Sequence, residues 1–177
     1  MTGMELSRKH IAILAENLYQ EMELWYPLYR LQEAGARVTV LASDAGKIYT
    51  SKLGYPVKCD HSYSGVQVDE FDGVIIPGGF APDYMRRVEK ACQFVADVHR
   101  AGKLVAAICH GPWMMCSANV LRGRKATSFY SIKTDMINAG ADWQDAEVVV
   151  DGNLVTSRKP EDLPAFMRAC IEVLRTT

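Results

Sequence analysis

Short apolar runs alternate along this chain with stretches of helical periodicity. Residues 10–15, HIAILA, predict a buried strand. From Glu21 to Ala34, Leu24, Leu28 and Leu31 recur at helical spacing, and Gly35 is placed to end that helix. RVTVLA at 37–42 predicts a second strand, which completes a βαβ unit. Residues 43–68 are less regular, and KIYTSKLGYPVKCD predicts a small extended excursion around Gly54. DGVIIP at 72–77 is a third strand, followed by Gly78 and Gly79. Val88, Cys92, Val95 and Val98 predict one helix over 84–101, ended by Gly102.

KLVAAI at 103–108 is wholly apolar, the signature of a central parallel strand. It runs into CHGPWMMCSANVL, a turn and then a helix, and a charged RGRK turn follows. Residues 131–139 predict a short helix stopped by Gly140. AEVVVDGNLVTS at 146–157 predicts two short strands around Asp151 and Gly152. PEDLPAFMRACIEVL closes the chain as an amphipathic helix, with Pro160 as its start signal and Asp162 an early acid. Alternating strands and helices imply a mainly parallel sheet with helices on both faces. Ligand sites in such sheets lie beyond the carboxyl ends of the strands, so the junctions at 16–23, 77–83 and 109–113 carry the interest.

Composition narrows the function classes. The chain has 177 residues, 49% hydrophobic and 23% charged, which predicts one domain over 1–177 with its core at about 9–175. Twenty Lys and Arg against 21 Asp and Glu leave no broad basic field, so no nucleic-acid partner is implied. The five cysteines contain no CxxC spacing, which argues against a disulfide scaffold or a thiolate zinc site and fits a reducing compartment. The N-terminal MTGMELSRKH precedes an apolar run too short for a signal peptide, and no run approaches membrane-spanning length. A cytoplasmic protein is expected, with no membrane association and no metal or organic cofactor. His10, His61 and His99 are scattered and read as structural or exposed.

The strongest chemical signal is LVAAI-CHG-PWMM, in which a thiol follows a buried strand immediately and precedes a helix. That arrangement resembles a nucleophile elbow, where nearby amides favour a thiolate at Cys109. The competing reading is a small buried filler. Cys59, Cys92, Cys116 and Cys170 fall on ordinary strand or helix positions and read as packing. His110 reads as a base if another group turns it toward the sulfur, or as a helix-start residue. Gly78 and Gly79 mark a tight turn whose amides, with that of His110, can form an oxyanion hole. There is no GxGxxG fingerprint or phosphate-binding GKS or GKT loop. Asp83 either orients a histidine or caps the following helix. Glu23 either shares a proton with Cys109 or is an exposed acid at a helix start.

Taken together, EMELWYPLYRL, FDGVIIPGGFAPDYMR, AICHGP, VLRGRKATS, IKTDMINAGA, DAEVVVDGNLVTSR and PEDLPAFMR resemble the DJ-1/PfpI family over His10 to Leu174. The resemblance is closest to its PfpI-like intracellular protease or general stress protein branch. It implies a flavodoxin-like three-layer α/β sandwich related to the class I glutamine amidotransferase domain. It makes Cys109 the elbow nucleophile, His110 its histidine and Glu23 the buried acid beside the sulfur. It puts the oxyanion hole at the amides of Gly79 and His110, and makes Asp83 the acid that completes the triad of a neighbouring subunit. A dimer, or a hexamer built from dimers, follows. Close relatives resemble an acid-x-x-acid pattern where this chain reads Gln20-Glu21-Met22-Glu23, so a neutral amide replaces the first acid. Phe129 falls where some relatives place a tyrosine. Tyr19, Trp113 and Phe129 are expected to narrow the cleft, with Gln20 and Gly78 also beside it.

The resemblance implies cysteine-dependent chemistry on a peptide, an amide or a small 2-oxoaldehyde, the last as a glyoxalase or deglycase in stress protection. A narrow cleft favours small molecules or short peptides. The alternative is a redox-sensing stress protein with little turnover and an oxidation-prone Cys109.

Overall fold

The structure is a computed structural model and describes residues 5–177, so the first four residues of MTGMELSRKH lie outside the described residues. The first βαβ unit is β1 (His10–Leu14), α1 (Glu21–Glu33) and β2 (Arg37–Ala42). The excursion is the antiparallel ribbon of β3 (Ile48–Thr50) and β4 (Pro56–Lys58), followed by β5 (His61–Ser62) and β6 (Gly73–Ile76). Then come α2 (Ala81–Met85), α3 (Glu89–Arg100), β7 (Leu104–Ile108) and α4 (Pro112–Ser117). The rest of the chain forms β8 (Lys125–Ala126), α5 (Lys133–Asn138), β9 (Asp142–Trp143), β10 (Val148–Asp151), β11 (Leu154–Ser157) and α6 (Leu163–Thr176).

Seven strands form one sheet in the order β10-β11-β7-β6-β1-β2-β5. Every pairing is parallel except the β10–β11 hairpin, as expected for strands joined by crossover helices. β7 is buried along its whole length and sits between β6 and β11, with Ala107 opposite Ile76 on one side and Thr156 on the other. Helices cover both faces, giving the flavodoxin-like three-layer sandwich. α1 and α6 touch each other and pack on the sheet, and α3 packs with α4 and against β6 and β7. α1 buries Leu24, Leu28 and Leu31, each contributing about 1.5–3 kcal/mol by leaving water.

The helix expected over 84–101 is two helices. α2 begins earlier, with Pro82 in its first turn, and Val88 takes an extended conformation before α3 starts at Glu89. The break lets two apolar faces meet different neighbours: α2 packs on α4, and α3 lays Ala91, Phe94, Val95 and Val98 on the sheet. Cys59 also departs from expectation, since it is buried in the connection between β4 and β5 rather than within a strand. Among the described residues no helix is long and apolar enough to cross a membrane.

Candidate active site

The carboxyl ends of β1, β6 and β7 lie side by side and bring the three junctions together. At the end of β7, Cys109 has φ +62°, a left-handed conformation that costs a non-glycine residue about 1–2 kcal/mol. The backbone holds it there from two sides. Its N–H donates to the Ser157 carbonyl at 3.1 Å, and its own carbonyl accepts from Phe129 N–H at 2.9 Å. The side chain is thereby lifted off the strand line, above the sheet, as in a nucleophile elbow.

Gly78 marks where the reacting groups converge. A Cβ at this position would lie 2.6 Å from Glu23 Oε2, 2.7 Å from Cys109 Cβ and 2.9 Å from the His110 nitrogen. Only a residue without a side chain lets all three approach so closely. Gly79 follows with φ +79°, and a Cβ there would stand 2.4 Å from the Leu18 carbonyl. The turn is laced to the start of α1, since Gln20 N–H donates to the Gly78 carbonyl at 3.2 Å and Phe80 N–H to the Leu18 carbonyl at 2.9 Å. The Gly79 and His110 amides both address the Cys109 sulfur and favour its thiolate.

Glu23 is fully buried, which sets aside the exposed-acid reading. Its Oε2 accepts from Gly78 N–H at 2.7 Å, Oε1 has no hydrogen-bond partner among the described residues, and the carboxyl interacts with the Cys109 side chain. Burial pushes its carboxyl up to about 8. Burial, and then the charge of Glu23, push the Cys109 thiol up to about 12. Below pH 8 the acid holds its proton, so the second of these two pressures on the thiol vanishes. A neutral carboxyl also donates to sulfur, and the pair behaves as one unit sharing a proton.

His110 Nδ1 stands 3.3 Å from Cys109 Sγ. Its Nε2 lies 3.1 Å from Ser131 Oγ, a partner that the sequence patterns did not single out. Phe129 stacks on the imidazole and Trp113 meets it edge-on, each with centroids 5.2 Å apart. Burial, and next the charge of Lys52, lower its pKa, so the imidazole is neutral at pH 7 and able to take a proton.

Other expected residues divide. Asp83 neither caps α2 nor bonds its own chain's His110; it lies in that helix, half-buried, paired with Arg87. Tyr19 does not narrow the cleft: its ring is fully buried, with its hydroxyl donating to the Tyr55 carbonyl. Trp113 acts behind His110 rather than at the cleft wall. Gln20 is the N-cap of α1, its Oε1 accepting from Glu23 N–H at 3.0 Å. With Phe129 it lines a cavity of about 220 Å³ over Cys109. Lys52, Phe80 and Pro160 complete the wall and were not anticipated. They come from a hairpin tip, a turn and a helix start that no local pattern ties to the elbow. Among the described residues, no three His, Cys, Asp or Glu side chains cluster to hold a metal.

Fold and site define a flavodoxin-like α/β protein with a strained elbow cysteine paired to a buried carboxyl and a histidine. The chain belongs to the DJ-1/PfpI family, whose family model matches residues 9–173. It is similar to a deglycase of Pyrococcus horikoshii, 48% identical over 93% of this chain and 99% of that protein. It is also similar to general stress protein 18 of Bacillus subtilis, 42% identical over 94% of this chain and 98% of the relative. Among solved structures, it matches a two-domain protein of Anabaena variabilis with DJ-1/ThiJ/PfpI-like and ferritin-like domains. That match has a TM-score of 0.93 at 44% identity, covering 94% of this chain and about half of the larger protein (48%).

Proposed function

We propose that this protein is a cysteine-dependent hydrolase of the PfpI-like branch, acting on small 2-oxoaldehydes and their amine adducts in the manner of a glyoxalase or deglycase. The observation that carries this reading is the convergence of Cys109, His110 and Glu23 around Gly78, at the floor of a cavity of about 220 Å³. A cavity of that size suits a small carbonyl compound better than a folded protein chain. Relatives that carry the name deglycase support the same assignment.

The chemistry follows from the positions. Cys109 sulfur adds to the aldehyde carbon, and the carbonyl electron pair moves to oxygen, held by the Gly79 and His110 amides and protonated from the Cys109–Glu23 pair. The product of this step is a hemithioacetal. His110, neutral and beside the sulfur, takes the proton from the former aldehyde carbon and returns it to the neighbouring carbon, while the hydroxyl proton passes from the first carbon's oxygen to the second's. This gives a 2-hydroxyacyl thioester. Water cleaves the thioester, releasing a 2-hydroxyacid and restoring the thiol. One water is consumed and no outside oxidant is needed.

Asp83 fits as an acid offered to the His110 of a second copy, since its side chain on α2 is partly open to solvent while its own chain's imidazole bonds Ser131. An apolar groove of about 520 Å³ lined by Met22, Trp25, Tyr26, Tyr29, Leu53 and Tyr55 supports self-association. The test is turnover of methylglyoxal by the wild type and by Cys109→Ala. Hydroxyacid production at least about 100-fold lower in the variant is expected, and equal rates would overturn the proposal. Selective peroxide oxidation of Cys109 without turnover would favour the redox-sensing reading instead.

A further inference from the structure

The mechanism above leaves Lys52 without a role, although it lines the same cavity as Cys109. Its backbone is fixed at the tip of the β3–β4 ribbon. Lys52 N–H donates to the Tyr19 carbonyl at 2.9 Å, and the next amide, Leu53 N–H, donates to Glu21 Oε1 at 2.6 Å. Both anchors lie at the start of α1, the helix that carries Glu23. The ribbon tip and the buried acid are thus parts of one fastened unit.

Among the described residues, no carboxylate lies within salt-bridge distance of the Lys52 ammonium. It rests over the Phe80 ring, 5.8 Å from the centroid. The acids nearby are occupied elsewhere. Glu21 is engaged by the Leu53 amide, Glu23 is buried against Gly78, and position 20 is an amide rather than an acid. The cavity mouth therefore presents a positive charge with no carboxylate in ion-pair contact, the Glu21 charge acting on it only from beyond salt-bridge distance. Its field reaches the site, since it is among the influences acting on both His110 and Glu23.

We propose that Lys52 is a specificity-determining residue that binds a carboxylate on the carbonyl substrate, so that this cleft prefers acidic 2-oxoaldehydes and their adducts to neutral ones of equal length. The carbonyl carbon sits over the Cys109 sulfur while the acidic group reaches back to the ammonium at the rim. The bonding step is the thiol addition already described, so the charge at the far end alters binding and not the balance of the reaction. The proposal rests on the hydrolase reading for its substrate, but its first test does not need turnover.

That test compares alkylation of Cys109 by iodoacetate and by iodoacetamide, which differ in charge. Rates are read by intact mass and peptide mapping for the wild type, Lys52→Gln and Lys52→Arg. Changes in thiol acidity affect both reagents alike and cancel in the ratio of their rates. The iodoacetate-to-iodoacetamide ratio is expected to fall at least about fivefold in Lys52→Gln and to be retained in Lys52→Arg, with the difference shrinking at high salt. An unchanged ratio in Lys52→Gln overturns the proposal. The second test compares 4,5-dioxopentanoate with neutral 2-oxopentanal. The kcat/KM ratio favouring the acid should fall in Lys52→Gln, with the loss residing mainly in KM. If neither compound turns over yet the alkylation ratio responds, the hydrolase reading fails and the anion site stands. If both turn over with the same preference in wild type and variant, the hydrolase reading stands and the anion site fails.

Discussion

Replacing Glu23 with Gln tests the electrostatic centre of the site. The buried carboxyl titrates at about 8 when folded, against an ordinary 4.5, because its charged form is excluded from water. The folded protein thus keeps this proton to higher pH than the unfolded chain does. Below pH 4.5 both states hold it and the residue is pH-neutral in its effect. Between 4.5 and about 8 the unfolded chain ionises first, so stability falls as pH rises. The full interval corresponds to about 5 kcal/mol. A non-titrating amide escapes the loss. Urea unfolding of wild type and Glu23→Gln at a series of pH values isolates this effect, since the other titrating groups, His10, His99 and His110 among them, are common to both. The wild-type midpoint should fall relative to the variant's by about 2 M urea from pH 4.5 to 8, using a slope of about 2 kcal/mol per M. The variant should meanwhile lose turnover, because an amide cannot pass a proton to or from the sulfur. A relative change below about 0.5 M would refute the reasoning, since it would place an ionised carboxylate in the folded site at neutral pH.

Two further substitutions examine the backbone. Gly78→Ala puts a methyl group within 3 Å of Glu23, Cys109 and His110, so turnover should drop at least about 100-fold and stability by about 1–3 kcal/mol, read by kinetics and urea melts. At Cys109 the usual order of residues should invert: at φ +62° the Cys109→Gly protein should be as stable as Cys109→Ala or more so by about 1 kcal/mol, compared by thermal unfolding, whereas a clear advantage for alanine would show that the elbow is unstrained.

The parts of the fold written in local periodicity were legible. The apolar run of β7, the hairpin around Gly152 and the amphipathic α6 appear where the pattern puts them. The division at Arg86–Val88 was hidden because Val88 and Cys92 continue a helical spacing across it, and only the separate partners of α2 and α3 require a break. In the site, the elbow cysteine announced itself through sequence order alone. The burial of Glu23 did not, since an acid near a helix start reads as solvated until the Gly78 turn is folded onto it. Tyr19 misled for the opposite reason. Its position beside the β1 junction is right, and its backbone does bridge to Gly79, but the ring turns away from the cavity to bond Tyr55. Lys52 and Ser131 enter only through tertiary contacts and leave no local signal.

The amide at position 20 gains a meaning from these contacts. The N-cap of α1 needs a side-chain oxygen to accept from Glu23 N–H, and Gln20 supplies one at 3.0 Å. A glutamate would cap equally well, so capping does not explain the choice of amide over acid. What differs is charge. A carboxylate here would stand on the same cavity wall as Lys52, offering the ammonium a partner within the protein. It would also add a negative charge near Glu23 and push that acid's titration higher still. The neutral amide keeps the helix start intact while leaving both effects out. The structural job and the electrostatic one thus separate at a single residue, and the cleft is left with one exposed cation and one buried acid that is neutral at pH 7.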